Sequence, residues 1–160
     1  MQRKRSGFVI MVLGVAGFLA GILPAQDPQP GQLPAGAIQV PADKLAWVEA
    51  PPALPAGAQM MLLEGDPRKE GLFTLRLKIL AGTRLQPHWH PRDERVTVLS
   101  GLVKVGFGDE FEEANMVSFG PGSFYLNPAE SRHYVWFVEE TVMQLTNVGP
   151  WEVLYPTQPE

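Results

Sequence analysis

From Lys44 onward, glycine and proline cut this chain into short runs, and that punctuation constrains most of what it can fold into. The two residues number 16 each among 160, a fifth of the chain. Both cost helix stability and both favour turns, so many short extended elements are expected in place of long helices. The stretch Phe73-Thr74-Leu75-Arg76-Leu77-Lys78-Ile79 alternates apolar and polar residues without a fault, as a strand with one buried face requires. Phe73, Leu75, Leu77 and Ile79 should therefore face a core. Further strands are expected at 47–48, 59–64, 95–99, 102–107, 117–119, 124–126, 133–138 and 141–146, with 153–155 as an edge strand. Ser100-Gly101 reads as a hairpin turn between two of these runs, 133–138 and 141–146 as a final pair, and 109–116 as one or two helical turns. The fold class is all-β.

The length allows one domain, and 45% hydrophobic with 19% charged residues is an ordinary globular balance. Three segments are expected. Residues 1–25 follow the pattern of an export signal: Arg3-Lys4-Arg5, an uncharged apolar run from Gly7 to Leu23, then Pro24-Ala25. An uncleaved N-terminal anchor is the competing reading, and it would be the protein's link to a membrane. Residues 26–43, with Pro28, Pro30, Pro34 and Pro41, read as a Pro/Gly-rich linker or arm. The folded domain is expected over 44–157. The export signal implies a periplasmic or secreted protein. Its formal charge of −4 becomes more negative if Arg3, Lys4 and Arg5 leave with the signal, so nucleic acid is not an expected partner. Cysteine is absent, which removes thiolate metal sites and cysteine nucleophiles.

The chemistry concentrates in three histidines. Side chains alternate along a strand, so His88 and His90 share a face, and Glu94 returns to it if the segment stays extended. Pro91 and Asp93 suggest a turn or bulge near 91–93. Imidazoles with a carboxylate suit Fe, Mn, Zn, Ni or Cu better than Ca. Glu94 is open to a second reading as a general base. Trp89, between two histidines, should face away from them, as should Tyr134 and Trp136 relative to His133. Arg84, Arg92 and Arg132 could guide an anion or be ordinary exposed arginines. Asp109, Glu110, Glu112 and Glu113 read as a solvated acidic loop.

Gly82, five residues, His88, one residue, His90, three residues, Glu94, six residues and Gly101 match the first motif of the cupins. A second motif is partly met by Gly122, Pro128 and His133, with Glu130 where the family usually has glycine and Phe137 where it often has asparagine. The chain thus resembles a small single-domain bacterial cupin of exported type. The resemblance implies a double-stranded β-helix, or jelly-roll barrel, with a divalent metal held by His88, His90, Glu94 and His133, and frequently a homodimer. Leu75, Leu77, Val96, Val98, Val135, Phe137 and Arg92 are the expected pocket residues. Four protein ligands on an octahedral ion leave about two positions for a small, anionic oxygen ligand, whereas a closed tetrahedral set would be structural. The function expected is a metal-dependent oxidoreductase, dioxygenase-like, or an isomerase. A non-catalytic ligand- or metal-sensing module is the alternative, and a structural cupin the third reading.

Overall fold

The computed structural model describes residues 33–156. The expected signal at 1–25 and the first part of the arm lie outside them. Residues 33–37 are exposed, with one turn closed from Ala37 N–H to the Pro34 carbonyl at 3.0 Å. The compact unit that carries the fold begins at Ile38.

Among the described residues, ten antiparallel strands form two sheets. The strands are β1 (Val48–Glu49), β2 (Gln59–Glu64), β3 (Gly71–Ile79), β4 (Arg84–His88), β5 (Glu94–Ser100), β6 (Val103–Phe107), β7 (Val117–Phe119), β8 (Phe124–Asn127), β9 (His133–Phe137) and β10 (Thr141–Gly149). One sheet has the order β1-β2-β3-β10-β5-β8 and the other β4-β9-β6-β7. Two short 3-10 turns, Ala42–Lys44 and Glu113–Asn115, are the only helical segments among the described residues. This is the all-β double-stranded β-helix that the resemblance implied.

The alternation read in β3 is realised in full: Phe73, Leu75, Leu77 and Ile79 are buried. Cross-strand pairing spreads that face into layers. Leu77 sits opposite Met60 on β2 and Met143 on β10, and Leu75 opposite Leu62 and Leu145. Val98 and Val96 on β5 extend both layers, and Val103, Val105, Val135 and Phe137 close the core from the other sheet.

Three pairings differ from expectation. Ser100-Gly101 does not close a hairpin, because β5 pairs with β10 and β8 whereas β6 pairs with β9 and β7 in the opposite sheet. The turn instead crosses between sheets. Gly101 has φ 82°, and a Cβ there would lie 2.8 Å from the Thr141 Cα, so the crossing needs glycine on two counts. By the same logic β9 and β10 are not partners, since β10 joins β3 and β5 and β9 joins β4 and β6. Short spacing is common to hairpins and to crossings, so local sequence does not separate them. Residues 153–155 contribute an isolated bridge, Trp89 with Leu154, in place of an edge strand.

Candidate metal centre

Four strand ends from both sheets meet at one point in the barrel. His88 ends β4 and pairs directly with His133 at the start of β9. Glu94 begins β5 opposite Asn127 at the end of β8. His90 lies on the connection between β4 and β5, after Trp89 has bridged to Leu154 through hydrogen bonds of 2.9 and 3.0 Å. The bend at 91–93 carries the chain from one sheet to the other, so Glu94 approaches the histidines from across the barrel. Asp93 staples this bend by accepting from the Ala129 N–H at 3.0 Å and from Arg95 at 2.9 Å. A register shift lies between Leu85 and His88, where Pro87 has no N–H to pair.

The side chains converge. One ligand atom from each of His88, His90 and His133 can be chosen so that all lie within 4.8 Å of one another, and all three residues are buried. The Nδ1 of His88 lies 2.8 Å from the Gln86 carbonyl, that of His90 2.7 Å from Glu152 O and that of His133 3.0 Å from Ser131 O. A carbonyl only accepts, so each Nδ1 carries its hydrogen and donates, which aims each Nε2 inward. The Nε2 atoms of His90 and His133 are buried and find no hydrogen-bond partner among the described residues. Glu94 Oε2 lies 3.4 Å from the first and 3.6 Å from the second. Asn127 Nδ2 donates to that same oxygen at 2.8 Å. Buried lone pairs turned toward a buried carboxylate form a donor set that a borderline divalent ion fits.

The electrostatics follow from crowding. Burial, reinforced by His133, lowers the pKa of His88 to about 4. Burial lowers His133 as well. For His90, burial acts downward but the Glu94 carboxylate outweighs it, and the net shift is upward. Burial also opposes ionisation of Glu94, yet His90, His133 and the Asn127 bond together bring it down to about 2. The Glu94 carboxylate thus favours positive charge at this point of the barrel.

The segment after β10 supports this set. The Trp151 ring stacks on His90 at 4.7 Å and 20°, Glu152 supplies the carbonyl for His90, and the Tyr155 ring lies 5.5 Å from His88. Sequence reasoning gave Asn127, Trp151 and Glu152 no role and placed Tyr155 only in an expected edge strand. Of the expected pocket residues, Leu75 and Leu77 line a cavity beside Trp151, Val96, Val98, Val135 and Phe137 are buried in the core, and Arg92 is exposed on the bend. Arg84 stacks on Trp136 and pairs with Glu113, while Arg132 pairs with Asp109 and covers Trp89. Tyr134 faces away from His133, with its hydroxyl donating to the Glu112 carbonyl at 3.1 Å.

Several solved structures share the fold. A provisionally assigned acetylacetone dioxygenase from Methylibium petroleiphilum PM1 is 20% identical, with a TM-score of 0.60 over 78% of this chain and 85% of that one. An RmlC-like cupin from Shewanella frigidimarina NCIMB 400 is 13% identical, with a TM-score of 0.52 over 67% and 86%. The polyketide cyclase RemF from Streptomyces resistomycificus is 14% identical, with a TM-score of 0.50 over 64% and 75%. At these identities the likeness is one of fold. No curated protein matches the sequence. The ChrR cupin-like domain matches residues 35–152, most of the chain, and the protein therefore belongs to the ChrR cupin-like family of the cupin superfamily.

Proposed function

We propose that the protein holds a divalent transition-metal ion, drawn from Fe, Mn, Zn, Ni and Cu, on His88, His90, His133 and Glu94. We further propose that it acts as a metal-dependent oxidoreductase of dioxygenase type on a small oxygenated molecule. The observation that carries the reading is the set of three imidazoles tethered at Nδ1 to backbone carbonyls, two of them with buried, unpartnered Nε2 atoms. Such an ion supplies Lewis acidity and, for Fe, Mn or Cu, one-electron chemistry. The chain's own part is to orient it: Asn127 fixes the Glu94 carboxylate, and Trp151 shields His90 on one side. The fold shared with a provisionally assigned dioxygenase is consistent with that activity. Export, and assembly as a homodimer, are parts of the same proposal.

One observation favours a non-catalytic ligand- or metal-sensing module as the second reading. Two phenols share this environment: Tyr155, whose ring lies 5.5 Å from His88 and whose pKa burial raises, and Tyr125, raised well above its ordinary value by burial and by Glu94. Both stay protonated at neutral pH and neither is a ready base.

Elemental analysis of the full chain, purified from its exported compartment, tests the metal. The parent should carry about one ion per chain, His88→Ala and His133→Ala should lose most of it, and Arg92→Ala should keep it. Metal content in His88→Ala equal to the parent would overturn the assignment. Oxygen uptake by the Fe-loaded protein with acetylacetone, as a first dicarbonyl probe, separates the two readings: bound metal without uptake favours the sensing module.

A further inference from the structure

We propose that the barrel carries a second site, a pocket for a neutral apolar small molecule, lined in part by Trp151, whose ring stacks on His90. A cavity of about 620 Å³ opens there, within the size range of small-molecule pockets. Its walls are apolar, with Leu54, Met60, Leu62, Leu77, Trp151 and Val153 among them. Met60 and Leu62 share the core face through their pairing with Leu77 and Leu75. Leu62 is nonetheless 48% exposed, so part of the core face is left open. A single flat patch would suit another protein, but this space is concave and bounded by three chain segments, at 51–54, 65–68 and 151–153.

The charge at the rim selects the ligand class. Asp66 and Arg68 are bonded to each other twice, with Nε to Oδ1 and Nη2 to Oδ2 both at 3.0 Å. The pair satisfies itself, and Glu152, the other charged residue of the lining, is exposed to solvent, so an ion placed against the apolar walls would lose hydration without replacement. A neutral occupant gains from burying apolar surface instead.

The pocket shares a wall with the metal centre. Trp151 lines the cavity and stacks on His90, and Glu152, also at the cavity, holds the His90 Nδ1 hydrogen through its carbonyl. An occupant pressing on 151–153 keeps the indole against His90. Ligand in the pocket thereby tightens metal binding, a linkage that rests on the proposed metal centre, whereas the pocket itself does not.

The test uses the full chain, metal-loaded and chelator-stripped, titrated with the neutral fluorophore N-phenyl-1-naphthylamine and then competed with 1-decanol. Saturable binding at about one probe per chain is expected in both forms, about tenfold weaker in Leu62→Asp and unchanged in Leu126→Asp on the outer face of β8. Absence of saturable binding, or parent-like binding by Leu62→Asp, overturns the pocket. A change of oligomeric state in Leu62→Asp with binding retained also overturns it, by making a second copy the occupant. Saturating 1-decanol should raise metal affinity about fivefold, and an unchanged affinity refutes the linkage. If the metal reading fails, the titration of stripped protein still stands. If the pocket fails, metal content is untouched.

Discussion

Asn127 offers a sharp test of how the Glu94 carboxylate is held. The residue is 1% exposed, its Nδ2 donates to Glu94 Oε2 at 2.8 Å, and its Oδ1 is buried with no partner. Leucine has the same branched arrangement of heavy atoms with bulkier ends, so Asn127→Leu removes the polar atoms without opening a cavity. Losing a hydrogen bond to a charged group costs about 2 kcal/mol. The orphaned Oδ1 disappears too, and relief of its desolvation penalty offsets a similar amount in the metal-free protein. Its melting temperature should therefore stay within about 3 °C of the parent. In the metal-bound protein the freed carboxylate must be ordered by the ion alone, and 2 kcal/mol corresponds to roughly a 30-fold loss of affinity. Competition against a chromophoric chelator, with Zn or Mn at neutral pH, measures that loss. An affinity within about threefold of the parent would show that Asn127 does not position the ligand, and the reasoning would be wrong.

Three further outcomes are expected. Gly106→Ala should cost about 2 kcal/mol and about 8 °C in melting temperature, because the new Cβ collides with the buried Tyr134 ring, 2.6 Å from its Oη. In a Tyr134→Ala background the same change should cost little, and a double-mutant cycle by thermal melts checks this. Glu130, with φ 62°, occupies the left-handed region at the position where cupins usually carry glycine; Glu130→Gly should gain about 0.5–1 kcal/mol, read as a higher denaturant midpoint. Melting of the metal-stripped protein across pH gives the third. Unfolded His88 takes a proton near 6.5 but the folded residue resists until about 4, so its contribution is complete above 6.5 and is lost as pH falls toward 4. His133 acts in the same direction and His90 in the opposite one. Glu94, lowered from 4.5 to about 2, adds a loss over the lower window. A melting temperature that holds or rises from pH 6.5 to 4 would contradict these assignments.

What local pattern controls was legible in the sequence. The buried face of β3 follows from a two-residue period, and β2 runs over the expected 59–64. The imidazole cluster was legible because two histidines at i and i+2 share a face and the chain has one other histidine. Pairing partners were not legible: 95–99 and 102–107 flank a turn that suits a hairpin or a crossing equally well, and β5 and β6 lie in different sheets. The same limit hid Asn127, whose role exists only because β8 pairs with β5 so that it lies opposite Glu94. Trp151 and Glu152 were hidden for another reason. Their contribution is a ring face and a backbone carbonyl, and a carbonyl is common to every residue type.

The placement of β9 and β10 bears on how the molecule is made. Within the described residues, β10 separates β3 from β5 in one sheet, and β9 separates β4 from β6 in the other. In each sheet the last strand to be made is thus an inner one that joins two earlier strands. Until residue 149 has emerged, β3 and β5 lack the full strand that joins them, and until β9 is made His88, His90 and Glu94 lack His133. Neither sheet can close before its own last strand is made, and premature termination anywhere before β10 leaves a chain unable to adopt this architecture.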